Sequence, residues 1–289
     1  GALGRLVPAE RRSAALALAS TGGSTGQFLV IPYGQYLIDT MGWSQALLVI
    51  AGLAALMSPL ALFFSGLGTS GSEGSQTTVE HGLRHALREA IHSKSFWYLN
   101  IGFGVCGFQV LFIAVHFPAY IVDVGLPPQI GALALALIGF FNILGTMACG
   151  YAAPRFGRKY LLSGLYVLRS VTIAGLLTFS PSIGTVLVVA SVLGLLWLGT
   201  VPVTGDLVAN LFGARYMSSL FGIVFLSHQI GGFVGVWAGG LIFGLTHSYD
   251  AIWYTCIGLG IIAGIVHLPI SERRSEPHLI DSTPTVGGR

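Results

Sequence analysis

The sequence predicts an all-α integral membrane protein with eight transmembrane helices, and three observations lead to this fold class. Hydrophobic residues make up 53% of the 289 residues and charged residues only 9%, which is too few charges to cover a water-facing surface of this size. Apolar runs long enough to cross a bilayer recur along the chain. The basic residues fall almost entirely after alternate runs, as expected for loops on one side of a membrane.

Crossing the hydrocarbon core takes about 20 mostly apolar residues. Eight such runs predict spans one to eight, in chain order, at 15–37, 43–65, 96–122, 129–153, 161–180, 183–204, 216–244 and 251–270. Within span seven, Gly231, Gly235 and Gly239 share one helical stripe, which predicts close packing against another helix.

The basic residues orient these spans, because short cytoplasmic loops retain Lys and Arg. Thirteen of the fourteen lie before span one or after spans two, four, six and eight: Arg5, Arg11, Arg12, Arg84, Arg88, Lys94, Arg155, Arg158, Lys159, Arg215, Arg273, Arg274 and Arg289. Both termini are therefore predicted to be cytoplasmic, in a multi-pass protein of the plasma (inner) membrane. The fourteenth, Arg169, lies inside span five.

A weak internal repeat suggests how the spans are grouped. At an offset of 205 positions, four residues recur: Gly26 with Gly231, Phe28 with Phe233, Gly34 with Gly239 and Ala46 with Ala251. Repeats of six-helix units in one orientation occur in the two halves of major facilitator transporters. On this reading 1–65 holds the last two helices of a first bundle, 96–270 is a complete second bundle, and four helices precede Gly1.

Two polar segments complete the predicted organisation. Residues 66–95 read as a cytoplasmic linker, flexible at first and then an amphipathic helix on the membrane surface. Residues 271–289 read as a disordered cytoplasmic tail. His81, His85 and His92 on the linker helix are interpreted as solvated residues rather than a metal site, and the three cysteines as packing residues. No catalytic residue, metal or cofactor is expected, and the scattered basic residues do not predict nucleic-acid binding.

The loop after span four carries a family resemblance. Its residues Gly150-Tyr151-Ala152-Ala153-Pro154-Arg155-Phe156-Gly157-Arg158-Lys159 resemble the G-x-x-x-D-R-x-G-R-K signature of the major facilitator superfamily. Pro154 stands where the signature has an acidic residue. The resemblance implies a gating role for Gly150, Arg155, Gly157 and Arg158, although the departure at Pro154 puts a charge relay there in doubt. Pro32 in span one predicts a bend used when two bundles rock.

Within that superfamily, the chain looks most like the monocarboxylate/oxalate–formate branch. Three stretches carry this resemblance: Pro8 to Arg12 leading to Gly22 to Gln27, His116 to Tyr120, and Gly231-Gly232 through Tyr249 to Ala251. The resemblance implies alternating access that moves small organic anions, proton-coupled or by exchange, with a membrane-embedded cation. The usual position of that cation, in span four, holds no charge here.

Arg169 is the first candidate for a substrate-binding residue. It follows Lys159 by ten residues, or about 15 Å of helix, which places it near the bilayer midplane. Burying an Arg there costs about 2.5–3.5 kcal/mol even on a lenient scale, so it requires a partner or a wet cavity. That partner is either an anionic substrate or, for a structural Arg, backbone carbonyls and polar groups of a neighbouring helix.

Five further residues are candidate substrate ligands or proton carriers: His116, Asn142, His228, Gln229 and Gln109. A His with a pKa near neutrality binds a carboxylate when protonated or carries a proton, whereas each of these residues has packing or helix–helix bonding as its alternative. Asp206 after the apolar part of span six is expected to cap a helix, pair with Arg215 or titrate.

The alternatives to an organic-anion carrier are an exporter of lipophilic cations in exchange for protons, and a membrane structural or receptor protein. An exporter of cations usually needs an acidic residue deep in a span, and the eight runs contain none there. The expected partners are an anionic small molecule, the lipid bilayer and, for a coupled carrier, protons.

Overall fold

The computed structural model describes residues 7–56 and 76–272, except for the side chains of Ala9 and of residues 76–82. These two stretches are helical almost throughout and contain no β-strand. Their helices are α1 (Ala9–Met41), α2 (Trp43–Ala55), α3 (Gln76–His92), α4 (Lys94–Asp123), α5 (Pro128–Phe156), α6 (Arg158–Thr178), α7 (Ile183–Leu195), α8 (Thr200–Phe212), α9 (Met217–Thr246) and α10 (Asp250–His267).

Seven stretches of the described chain are long and apolar enough to cross a membrane: α1, α4, α5, α6, α7 with α8, α9 and α10. They correspond to seven of the eight predicted spans. The second predicted span, 43–65, is described only as far as Leu56, and within it α2 is an apolar helix of 13 residues. The rest of this span, residues 66–75 of the linker and most of the tail lie outside the described residues. The all-helical membrane fold is thus confirmed.

The predicted glycine stripe of α9 packs against α4. A side chain at Gly231 or Gly235 would overlap the backbone carbonyl of Gly104 or Phe108, and one at Gly239 would meet Phe112 and His116. Because only a hydrogen fits at these positions, the two helix backbones approach closely, as small residues allow in membrane helices. The prediction of a close packing face on span seven is confirmed.

Helix α1 lies along α5 in the same manner. A side chain at Gly139 would meet the backbone of Gln27 and Phe28, and one at Gly150 would meet Ser13, Ala14 and Ala17. These contacts matter for function because α1 belongs to the predicted first bundle and α5 to the second. The contact between α1 and α5 is therefore part of the boundary between the two predicted halves.

Candidate functional site

Span six is not one helix: α7 ends at Leu195 and α8 begins at Thr200. Pro202 lies in the first turn of α8 and has no N–H to donate to the Leu198 carbonyl, which instead accepts from the Val201 N–H at 2.9 Å. The predicted span over 183–204 is confirmed as part of an apolar crossing from Ile183 to Phe212, but it contains a break that the sequence analysis did not predict. Pro202, together with Gly194 and Gly199, was the sequence signal that could have revealed the break.

Arg169 from α6 holds the carbonyls that the break leaves free. Its Nη2 donates to the Leu196 and Trp197 carbonyl oxygens, each at 2.6 Å. Its Nη1 donates to Gln109 Oε1 at 3.2 Å and lies 3.7 Å from Cys106 Sγ. These contacts satisfy the carbonyls that lost their helical partners, so they correspond to the structural alternative for this residue. The substrate-binding role of Arg169 stays a prediction.

The surroundings of Arg169 are neutral. The residue is fully buried, and its hydrogen-bond partners among the described residues are carbonyls, an amide and a thiol, with the Tyr166 ring 5.6 Å from the guanidinium carbon. Its Nε has no hydrogen-bond partner there. The guanidinium is therefore a buried positive charge without a carboxylate bonded to it.

Asn142 from α5 holds the other side of the break. Its Oδ1 accepts the Leu198 N–H at 3.0 Å and the Thr146 hydroxyl at 2.9 Å. Its Nδ2 donates to Ser24 Oγ of α1 at 2.9 Å. Asn142 and Ser24 are both buried. One amide thus connects the irregular segment of span six to the predicted first bundle, a connection that the sequence did not reveal.

Gln109 and His228 lie with Arg169 around Cys106. Gln109 uses both ends of its amide, since its Nε2 donates to the Cys256 carbonyl at 2.8 Å. His228 is 5% exposed, interacts with Cys106, and has its Nδ1 3.2 Å from Gln229 Oε1. Nε2 of His228 is buried without a hydrogen-bond partner among the described residues. His228 therefore lies in the buried cluster between Cys106 and Gln229.

Gln229 lies at the edge of this cluster, where it contacts His228, and His116 lies outside the cluster. Gln229 is exposed on α9, outside the core of the described bundle. Nε2 of His116 lies 3.0 Å from the Val236 carbonyl and Nδ1 3.4 Å from the Tyr249 hydroxyl, and the ring stacks on Phe112. His116 therefore has the contacts of a packing residue between α4 and α9, away from the break.

A second buried charge, Asp206 on α8, lies toward the predicted cytoplasmic end. Arg158 Nε donates to its Oδ2 at 2.6 Å, and Arg12 Nη1 of α1 lies 3.9 Å from its Oδ1. Pairing with Arg215, one of the three roles expected for Asp206, is not observed, since the Arg215 guanidinium lies over the Tyr216 ring. Arg158 of the signature loop is thus paired with an acid on a different helix.

Glu272 extends this network, although the sequence placed it in the tail. Arg158 Nη1 lies 3.8 Å from Glu272 Oε2, and the Lys159 N–H donates to Glu272 Oε1 at 2.8 Å. Asn210 donates to the Glu272 carbonyl at 2.8 Å. The acids near Arg158 therefore come from positions 206 and 272 rather than from position 154. The spacing of the signature alone could not show this.

The other candidate gating residues have separate positions. Gly150 is at the close contact with α1. Gly157 is the residue that follows the end of α5, and its φ of 82° is a conformation that favours glycine. Arg155 is exposed and forms no ion pair within the described part of the chain. Pro32 lies within α1 and lines an open cavity of about 320 Å³ with Gln35, Tyr36, Asp39 and residues of α5. Within the described ranges no group of His, Cys, Asp or Glu is arranged to hold a metal ion.

Comparison with known proteins gives consistent matches. The profile of the Major Facilitator Superfamily matches residues 1–236 and 132–283. The uncharacterized MFS-type transporter YcxA of Bacillus subtilis is 26% identical over 288 residues, which is 91% of this chain and 66% of that protein.

Two mammalian relatives are similar to the chain at lower identity. Monocarboxylate transporter 11 of Mus musculus is 24% identical, covering 89% of this chain and 59% of that protein. Monocarboxylate transporter 13 of Rattus norvegicus is 23% identical, covering 96% and 66%. The chain spans less than two thirds of the length of each of these three relatives.

Proposed function

The chain belongs to the major facilitator superfamily, and from that premise we propose that it forms the larger part of a secondary active transporter for small organic anions. It is a multi-pass membrane protein, and its relatives are transporters rather than enzymes. We propose alternating access as its mechanism, with both termini in the cytoplasm of a cell whose plasma (inner) membrane holds the protein.

The observation that carries this proposal is the broken span six. Discontinuous helices near the bilayer midplane form the substrate and ion sites of many transporters. Here the break is bounded by Arg169 on one side and by Asn142 on the other, and Asn142 bonds Ser24 of the predicted first bundle. A site at this position would meet both bundles.

The charge of the midplane region supports an anionic substrate. The buried charged side chains of the described chain are Arg169 and Asp206, and the acidic one is paired with Arg158 and Arg12. A fixed cation in a region of low dielectric attracts an anion and disfavours a cation. Two relatives bear the name monocarboxylate transporter, which suggests that the anion is a small carboxylate.

His228 is the best candidate for a coupled proton. Its Nε2 is buried and has no hydrogen-bond partner among the described residues, whereas both ring nitrogens of His116 lie near other polar atoms. We therefore propose that His228 rather than His116 would take up a proton or contact the carboxylate. Exchange of one anion for another is the alternative form of coupling.

The test is transport by the complete native protein in liposomes that enclose a pH dye. We expect small carboxylates to acidify the interior, and Arg169→Gln and His228→Gln to abolish this response. The matched controls are Arg215→Gln and His247→Gln, because both residues are exposed. Acidification that only lipophilic cations drive, or carboxylate transport unaltered in both test variants, would contradict the proposal.

A further inference from the structure

A groove lies between the first turns of α1 and the last turns of α5, at the predicted cytoplasmic side. Its volume is about 570 Å³, and its polar lining consists chiefly of Arg11 and Arg155, with Glu10 beside them. We propose that this groove, here named the Arg11–Arg155 groove, binds the phosphate headgroup of an anionic phospholipid. The site is separate from the break in span six and from the Asp206 network.

The two helices form the groove because they meet at a glycine. Gly150 lines it, and a side chain there would overlap Ala17 and crowd Ser13 and Ala14. The helix backbones therefore touch at this level and leave a narrow channel beside the contact. Since α1 and α5 have 33 and 29 residues, they are longer than the hydrocarbon core is thick, so their ends reach the headgroup region.

The charges of the groove are free to bind an anion. Arg11 and Arg155 are exposed and take part in no ion pair within the described residues. Arg12, the residue after Arg11, and Arg158, three residues after Arg155, instead contact Asp206. The signature loop thus uses Arg158 for the network inside the protein and leaves Arg155 at the groove.

Pro154 explains why this groove is cationic in this chain. It lines the groove at the position where the signature of the superfamily has an acidic residue. An acid there would neutralise one of the two arginines. With Pro154 in its place, two guanidinium groups face one carboxylate, that of Glu10, and the groove keeps a net positive charge. Basic pockets between transmembrane helices on the cytoplasmic side are typical sites for anionic lipid headgroups.

The apolar part of the groove suits an acyl chain. Leu18 and Tyr151 line it and are each 62% exposed. Leu18 follows Arg11 by seven residues, so it lies about 10 Å further along α1, toward the bilayer interior. A lipid whose phosphate meets the arginines would place its chain against these side chains. Inorganic phosphate or a soluble phosphate ester would contact the arginines alone. A lipid would contact the apolar side chains as well, and this difference distinguishes a lipid headgroup from a soluble phosphate.

Such a lipid would contact both predicted halves, because α1 and α5 belong to different bundles. Its location in the cytoplasmic leaflet rests on the orientation proposed above. Binding to purified protein does not depend on orientation or on transport, so a failure of this proposal is distinguishable from a failure of the proposed function.

The experiment measures lipid retention on the complete native protein by mass spectrometry from detergent, with thermal unfolding as a second readout. The probes are phosphatidylglycerol, phosphatidylcholine and glycerol phosphate. We expect retention and stabilisation by phosphatidylglycerol over phosphatidylcholine, and about a fivefold loss of this preference for each of Arg11→Gln and Arg155→Gln. Arg215→Gln, at another exposed cytoplasmic arginine, is expected to leave it unchanged.

Position 154 supplies a sharper pair of variants. Pro154→Asp and Pro154→Asn both remove the proline, but only the first adds a negative charge. We expect Pro154→Asp to lose the preference and Pro154→Asn to keep it. An equal preference in the two variants, a preference that survives Arg11→Gln with Arg155→Gln, or equal stabilisation by glycerol phosphate would overturn the proposal of a lipid site.

Discussion

The two buried charges of this protein, Arg169 and Asp206, are held in opposite ways. Both side chains are fully buried, yet the hydrogen-bond partners of Arg169 are neutral groups of the same predicted bundle, whereas Asp206 lies between Arg158 and an arginine of α1. The contacts of Arg169 therefore do not depend on how the two halves are arranged. Those of Asp206 do, because Arg12 belongs to the predicted first half and Asp206 to the second.

This difference predicts that Arg169 maintains a local structure and that Asp206 responds to the transport cycle. Backbone carbonyls cannot leave the broken span, so under the proposed alternating access the Arg169 contacts should persist throughout the cycle. An ion pair of 3.9 Å between Arg12 and Asp206 is able to separate and reform as the cytoplasmic ends move. A static contact and a switching contact should respond differently to substitution.

The largest expected effect is the loss of stability in Arg169→Gln. The shorter amide cannot reach the Leu196 and Trp197 carbonyls together, and leaving buried acceptors unsatisfied costs about 2–5 kcal/mol in total. Thermal unfolding in detergent measures this loss. Arg215→Gln should change the stability by less than about 0.5 kcal/mol. A loss as small as that in Arg169→Gln would show that the guanidinium does not support the break.

A smaller loss is expected for Asn142→Leu, because Asn142 supports the same break from α5. The Leu198 N–H and the Thr146 and Ser24 hydroxyls lose their partner, at a cost of about 1–3 kcal/mol. Ser24→Ala removes only the bond to α1, at about 1 kcal/mol. A double-mutant cycle of the two substitutions isolates the interaction between the halves. No coupling in that cycle would mean that the bond does not link them.

Asp206→Asn is expected to cost about 1 kcal/mol in stability, because the amide oxygen can still accept the Arg158 hydrogen bond and Glu272 Oε2 remains 3.8 Å from Arg158 Nη1. Its main effect should be on transport, since the variant loses the ion pair between Arg12 of the predicted first half and α8 of the second. We expect the rate of anion exchange to change severalfold while unfolding changes little. The opposite result, a large loss of stability with an unchanged rate, would make Asp206 a structural residue.

The sequence predicted the spans well, because an apolar run of sufficient length has few alternatives to a membrane helix. It also predicted the glycine face of α9, since Gly231, Gly235 and Gly239 recur at helical spacing. It located span six but did not reveal the break inside it, because the apolar composition continues through the break and a count of hydrophobic residues does not register Pro202. Hydropathy detects a crossing of the bilayer but not the hydrogen bonds within it.

The partners of the candidate residues were beyond the sequence for a different reason. Arg169 was identified as a residue in need of a partner, but the Leu196 carbonyl comes from 27 positions away. Pairing with nearby Arg215 was one of three roles expected for Asp206, and its observed partner is Arg158, 48 positions away. The partners of these side chains are set by how the helices pack, and the spacing of residues along the sequence does not predict helix packing. Glu272 was missed because a polar residue after the last span is indistinguishable from a tail.

The most direct test of this account is the distance between spin labels in the complete native protein, with and without a small carboxylate. One pair joins exposed Leu18 of α1 to exposed Tyr160 of α6 across the predicted halves, and a second joins Val171 of α6 to Ile262 of α10 within one half. We expect carboxylate or Asp206→Asn to shift the first distance and leave the second unchanged. A fixed first distance, or a second distance that moves with it, would contradict the account.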